Sequence, residues 1–280
     1  MRLGGCLAGG YSNADEWLRL VRGIGYSAST FPVQPGAARS EIDEYVAAMR
    51  ENNIVNAEVG AWSNLLERDA SAREAALRKN IAALELAEAT GARCCVNIAG
   101  SMGERWDGPH NSNLSDETFK EVVKNTRAII DAVKPVKTKY TIEPMPWIFP
   151  DSPQSYIRLI EAVERDAFGV HLDVCNMVNS PLRVYNVAGF IDENFALLSD
   201  KIVSIHLKDI KLSTKMTVHI DEVQPGEGDF DFPCLFRNAA KLKRDTPMII
   251  EHLPDNGAYA RAFTYLRGVI LAAGLVEELS

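Results

Sequence analysis

Residues 3–10 read LGGCLAGG, where the first apolar run of the chain passes straight into glycines. In an open, doubly wound α/β sheet this is where a G-x-G-x-x-G turn would hold a pyrophosphate against a helix N-terminus. Gly4, Gly5, Gly9 and Gly10 do not have that spacing. The stretch reads as a strand that ends in a loop without a phosphate cradle. That favours the other large fold built from alternating strands and helices, a closed parallel barrel.

The rest of the chain keeps the alternation. After RLGGCLA come seven further β-rich runs: YSASTF (26–31), IVNAEVG (54–60), RCCVNIAG (93–100), KYTIEP (139–144), FGVHLD (168–173), KIVSIHL (201–207) and PMIIEH (247–252). Between them lie segments with apolar spacing of three and four. One is predicted to start at Ser40, with Asp43 completing a capping turn. A second, residues 69–91, should close at Gly91, and a third opens at Ser115. Residues 211–232, KLSTKMTVHIDEVQPGEGDFDF, read as one long loop with a Pro-Gly turn folded over the rim. Eight βα units in 280 residues match the usual barrel repeat. The expected fold class is α/β, a single (β/α)8 TIM barrel, with residues 1–280 forming one domain.

Composition narrows the function classes. With 46% hydrophobic and 24% charged residues, the chain carries enough apolar material for a sizeable core. A formal charge of −8 opposes binding to nucleic acid or to anionic lipid, and no apolar run reaches membrane-span length. Five cysteines in no C-x-x-C pair argue against a disulfide framework. Cytosolic location and small neutral substrates are expected, with neither nucleic acid nor membrane as partner.

Barrels place their chemistry at the C-terminal ends of the strands. Strand five ends at Glu143, strand six at Asp173, strand seven at His206 and strand eight at Glu251, at intervals of 30, 33 and 45 residues. Taken singly, each has an ordinary role as a helix cap or a hydrogen-bonded loop residue. Together, three carboxylates in one drier-than-water mouth repel unless protons or a cation offset their charge. Three oxygen donors and one imidazole, with no thiolate, suit an octahedral divalent metal: Mn2+ first, with Mg2+ or Co2+ as alternatives.

The ordered set YTIEP, HLDVCN, SIHLKD, PGEGDFDF and IIEHL resembles the sugar phosphate isomerases and epimerases. These are xylose isomerase-like TIM barrels that include ketose 3-epimerases and inosose-processing enzymes. The resemblance spans nearly the whole chain, with its motifs in the C-terminal half. It implies that Glu143, Asp173, His206 and Glu251 bind the metal, and that Glu143 and Glu251 also serve as the acid/base pair. In that chemistry a metal that grips a carbonyl and a neighbouring hydroxyl acidifies the C–H between them and stabilises the enediolate. One departure stands out: Asn176 occupies the place where those epimerases carry a histidine against substrate oxygen. The related apurinic endonucleases need further histidines that this chain lacks.

Other candidates follow from position. His171 is two residues before Asp173, so it should lie one layer below the metal and could orient a ligand carboxylate. Lys208 should face inward with His206, where it could hold an enolate oxygen or transfer a proton. Trp62 and Trp147 closely follow strands three and five and could stack on substrate, as could Trp106. His110 is read as a solvent-exposed loop histidine, with a lid as the alternative, and His219 and His252 as structural, with His252 facing away from Glu251. The expectation is a metal-dependent enzyme that isomerises or epimerises a ketose or related sugar by removing the proton next to a carbonyl. Its runner-up is a lyase acting on a keto-cyclitol or keto-glycoside. A non-catalytic subunit that binds metal and sugar is the reading from a different class. A small-molecule sugar or cyclitol is the expected partner, and a homo-oligomer the expected state.

Overall fold

In the computed structural model, which describes residues 1–275, the strands form one ring. In barrel order they are Arg2–Gly5, Ala28–Ser29, a third strand in two segments (Val55–Asn56 and Glu58–Gly60), Cys94–Asn97, Lys139–Ile142, Phe168–Leu172, Ile202–Leu207 and Pro247–Ile250. All pair in parallel with their neighbours, and strand eight pairs with strand one. The ring closes through strand three: Val55–Asn56 pairs with strand two, Glu58–Gly60 pairs with strand four, and only Ala57 lies between them. The expected (β/α)8 barrel is what the chain forms.

A helix follows each strand and covers the outside: Ala14–Ile24, Arg39–Glu51, Ala70–Thr90, Asp116–Val133, Pro153–Val163, Val187–Leu198, Phe232–Ala239 and Asn256–Ala272. Trp17, Tyr140, Phe168, Phe232 and Phe236 are fully buried between sheet and helices, so the main core is the shell around the barrel. The barrel interior is more polar. Ala28, Ala57 and Ile249 form a small apolar plug, while Glu58, Thr141, His171, Ser204 and His206 are buried as well.

Local sequence signals set several helix ends. Asp69 and Ser115 cap their helices through side-chain oxygens, and Gly91 closes its helix with φ 71°. The start at Ser40 is corrected: the helix begins at Arg39 with Ala38 as an N-cap that makes no side-chain bond, so Ser40 lies inside the first turn. Residues 211–232 are also more ordered than one loop. Asp209–Leu212 and Ile220–Val223 pair as an antiparallel hairpin above the rim. Asp209 holds its base by accepting N–H bonds from Ile210, Gly226, Gly228 and Phe230 at 2.8–3.1 Å. A Cβ at residue 228 would fall 2.2 Å from Asp209 Oδ1, so glycine is required there.

Strand six carries the irregularity that matters for the site. Its pairing with strand seven shifts between Val170 and His171. Such a shift re-aims the side chains that follow and leaves a ladder group to be satisfied elsewhere. Tyr156, fully buried on the helix Pro153–Val163, supplies the replacement. Its hydroxyl accepts the His171 N–H at 3.2 Å and donates to Ile142 O at 2.7 Å, pinning the ends of strands five and six beside Glu143 and Asp173. Tyr156→Phe should therefore destabilise the protein by about 1–3 kcal/mol, the cost of an unsatisfied buried amide, in urea unfolding followed by circular dichroism. An unchanged midpoint would show that the hydroxyl supports neither strand.

Candidate metal centre

The four strand-end residues converge. Donor atoms of Glu143, Asp173, His206 and Glu251 all lie within 4.8 Å of one another, and all four side chains are buried. His206 Nδ1 stands 2.8 Å from Glu251 Oε1, 3.2 Å from Glu143 Oε1 and 3.9 Å from Asp173 Oδ2. Alternation along strand seven brings Lys208 to the same side as His206, as expected. Its ammonium sits among the carboxylates: Nζ is 2.5 Å from Glu251 Oε1, 2.8 Å from Asp173 Oδ2 and 3.2 Å from Glu143 Oε1.

Asn176 lies in the short helix Val174–Met177 after strand six, which Asp173 caps, and links the cationic and anionic sides of the site. Its Nδ2 donates to Glu143 Oε1 at 3.0 Å and to Pro144 O, while its Oδ1 accepts from Lys208 at 3.2 Å. The Asn176 backbone N–H donates to Asp173 Oδ1 at 2.9 Å. An amide can serve a carboxylate and an ammonium at once because it carries donor and acceptor on one plane.

One residue escaped the sequence reading. Glu58 on strand three points into the barrel directly beneath His206, with Oε1 3.2 Å from His206 Nε2. Its Oε2 meets Ser204 Oγ at 3.4 Å and His171 Nδ1 at 3.5 Å. With Nε2–H donating to Glu58, a neutral His206 keeps its Nδ1 lone pair facing the carboxylates, the orientation a metal ligand needs. His171 does lie one layer down, but it turns to Glu58, with its ring edge-on to His206 at 3.9 Å between centroids, and not to a carboxylate of the upper cluster.

The electrostatics follow from burial and crowding. Burial alone would raise Glu143 and Glu251, but Lys208 and His206 overcome it. They hold Glu143 well below its ordinary value and bring Glu251 to about 2. Asp173, where burial outweighs Lys208 and the glutamates add to it, is pushed up to about 7. His206 and Lys208 are raised well above their usual ranges because the carboxylates outweigh their burial. His171 falls to about 4 through burial and the neighbouring His206 charge, which leaves it neutral.

These donors fit a divalent cation. Glu58, Glu143, Asp173 and Glu251 carry four formal negative charges against at most two positive ones on Lys208 and His206, so the buried group is short of cationic charge. Asp173 Oδ2 and Glu251 Oε1 are buried oxygens that depend on ion pairs with Lys208 and His206 for their charge balance. Hard carboxylate oxygens and one imidazole are ligands of Mn2+, Mg2+ or Co2+.

Two cavities open on this cluster. One, about 590 Å3, includes Trp62 and Trp106 in its walls and Glu58, Glu143 and Glu251 below them. The other, about 600 Å3, lies against Trp147, Lys208 and the hairpin residue Ile220. His252 corrects an expectation. Strand alternation would face it away, but it has φ 58°, lines both cavities, and sets Nδ1 3.1 Å from Glu222 Oε2 and Nε2 3.7 Å from Glu251 Oε1. His110 meets Arg68 at 3.3 Å near the surface, and the five cysteines are free thiols. Among the described residues no helix is long and apolar enough to cross a membrane.

Comparison with known proteins agrees with the geometry. Residues 13–269 match the family described as xylose isomerase-like TIM barrel. No curated protein matches the chain. Similar solved structures include a xylose isomerase-like TIM-barrel protein from Mycobacterium smegmatis in complex with magnesium (17% identity, 99% of this chain and 95% of that one, TM-score 0.68). A 3-keto-D-glucoside 4-epimerase from E. coli shares 18% identity over 96% and 99% of the two chains, TM-score 0.70. D-psicose 3-epimerase from Clostridium cellulolyticum shares 15% identity over the full length of both, TM-score 0.67. At these identities the likeness is one of fold.

Two outcomes follow from the charge arrangement. Lys208→Met should lower the stability of the metal-free protein by about 3–5 kcal/mol, since it leaves buried carboxylates without their nearest cation. Added Mn2+ should restore the melting temperature. Asp173 and His206 must both give up protons to ligate, so Mn2+ affinity measured by titration calorimetry should rise with pH through neutrality and go on rising above it. A pH-independent affinity would remove Asp173 from the ligand set.

Proposed function

The chain belongs to the xylose isomerase-like TIM-barrel family, and from that premise and the buried cluster we propose that it is a divalent-metal-dependent sugar isomerase or epimerase. Its substrate on this reading is a ketose or related sugar, and its reaction removes the proton next to a carbonyl. The observation that carries the proposal is the placing of two glutamates, Glu143 and Glu251, on the floor of one cavity with Lys208 within 3.2 Å of both.

Glu143, Asp173, His206 and Glu251 would hold the cation, Mn2+ by preference, and Glu58 would fix the His206 tautomer from below. When bound there, a divalent cation supplies Lewis-acid polarisation of a carbonyl and the hydroxyl beside it. The protein does the rest. Glu251, kept ionised, takes the α-proton, and the electron pair moves to the carbonyl oxygen to give an enediolate. The Lys208 ammonium faces that growing charge and steadies it. On the other side Glu143, oriented by Asn176 Nδ2, takes up a proton from solvent and passes it to the substrate while Glu251 releases the abstracted proton to solvent, which inverts the carbon if the two faces differ or moves the carbonyl if the proton goes to the neighbouring carbon. Asn176, where related epimerases carry a histidine, holds Glu143 and Lys208 and leaves substrate hydroxyls to Trp62 and His252. Trp147, whose Nε1 donates to Asp107 O at 2.8 Å, braces the mouth on the side of the second cavity.

The test is proton NMR in D2O with the Mn2+-loaded protein and a panel of ketoses, inososes and keto-glycosides. Deuterium should enter at the α-carbon of one class, with an epimer or isomer appearing. An unsaturated product would instead identify the lyase that shares this first step. No exchange with any member would contradict proton abstraction and favour a binding subunit. Glu251→Gln should reduce exchange at saturating Mn2+ by about 10²- to 10⁴-fold, the range for loss of a general base.

A further inference from the structure

The mouth of the barrel is larger than a single sugar ring requires. The cavity above Glu143 and Glu251, about 590 Å3, falls in the middle of the range of roughly 300–1,000 Å3 that encloses drug-sized ligands. Its walls above the carboxylates are mostly flat and apolar: Trp62, Trp106, Phe31, Ile98 and Met145. Trp62 and Trp106 each keep 37% of their surface exposed, unusual for the largest apolar side chain when nothing covers it.

Trp62 is held in place before any ligand arrives. Lys79 Nζ donates to Trp62 O at 2.8 Å, and the next residue is gripped on both sides by buried Asn97, which accepts the Ser63 N–H at 3.1 Å and donates to Ser63 O at 3.1 Å. The indole then lies back over the end of strand three. A Cβ on residue 60 would sit 2.3 Å from Trp62 Nε1, so the ring occupies space that only Gly60 leaves free. The loop carrying Trp106 is also tied down, because Trp147 Nε1 donates to Asp107 O. A rigid aromatic surface that loses little freedom on binding is a device for stacking, and preorganisation of this kind raises affinity without new contacts.

From this arrangement we infer that the substrate is a glycoside with a planar, apolar aglycone: the sugar ring sits on the carboxylate floor and the aglycone stacks on Trp62. The inference rests on the sugar reading above and adds the identity of the group attached to the sugar. Of the polar groups that line the same cavity beside the carboxylates, Asn176 is engaged by Glu143 and Lys208, His252 by Glu222 and Asp107 by Arg105, which leaves Thr30, Gln34 and Tyr259 for the hydroxyls of a second sugar ring, whereas an aromatic aglycone asks for none.

The experiment measures dissociation constants by titration calorimetry on the Mn2+-loaded protein for methyl and phenyl β-glycosides of glucose, galactose and xylose, with cellobiose as a two-sugar control. For at least one sugar the phenyl glycoside should bind roughly tenfold tighter than the methyl glycoside, the increment of one well-placed aromatic contact. Trp62→Ala should bring that phenyl-to-methyl ratio close to one. Gly60→Ala, which displaces the indole without removing it, should do the same, and Trp62→Phe should restore part of the ratio. Mn2+ affinity should stay at the wild-type value in all three variants, which separates loss of the platform from misfolding. Equal binding of methyl and phenyl glycosides, or a ratio untouched by Trp62→Ala, overturns the aglycone inference and leaves the sugar reading standing. Cellobiose binding tighter than every phenyl glycoside replaces the aromatic occupant with a second sugar. If no glycoside binds, the aglycone inference falls and the sugar reading stands or falls on the deuterium exchange of ketoses.

Discussion

Four carboxylates packed into a barrel mouth with too few cations around them are the constraint on which the site depends. Glu58, Glu143, Asp173 and Glu251 are each less than 8% exposed, and the buried positive groups that face them are Lys208 and His206. In a medium less polarisable than water, such an arrangement is sustained by direct ion pairs, by a shared proton, or by a bound cation. All three are visible or implied here. Lys208 Nζ reaches three of the carboxylates, Asp173 is pushed toward holding its proton, and the buried oxygens of Asp173 and Glu251 lean on Lys208 and His206 alone for positive charge among these buried groups.

The barrel supplies the convergence. Residues far apart in sequence meet because parallel strands all end on one rim, and the pairing shift in strand six with the Tyr156 clamp aims His171 and Asp173 inward. The same architecture gives the site depth. Below the carboxylate layer, Glu58 and His171 form a second polar layer that meets His206 from underneath, so one imidazole answers to acids both above and below it. A histidine gripped on both ring nitrogens has little freedom to turn, a restraint that would suit a metal ligand.

Much of this was legible in the sequence, for a physical reason. The eight strands are short apolar runs bounded by capped helices, and the strand-end acids and histidine recur at about one βα repeat, so topology alone carries Glu143, Asp173, His206 and Glu251 to one place. Lys208 followed from alternation. Glu58 did not stand out because it lies inside its strand, two residues before Gly60, where nothing in a single sequence separates an inward acid from an outward one. The clue was available: an acid inside an apolar strand is buried only when it is paired. His252 was misread because alternation holds only while the backbone is extended, and its positive φ turns the ring back over the mouth. Ser40 looked like a cap because its hydroxyl has an acid three residues on, yet the backbone enters the helix one residue earlier. The hairpin was hidden because its first strand, Asp209–Leu212, follows strand seven with only Lys208 between them, and its second, Ile220–Val223, has exposed acids and no apolar alternation.

The most direct measurement is anomalous diffraction at the manganese edge from crystals grown with Mn2+. The account predicts a single strong peak within about 2.0–2.6 Å of donor atoms from Glu143, Asp173, His206 and Glu251, with the Lys208 ammonium displaced toward Asn176. No peak at that position, with Lys208 still seated among the three carboxylates, would show that the lysine itself is the resident cation and would contradict the metal-dependent chemistry.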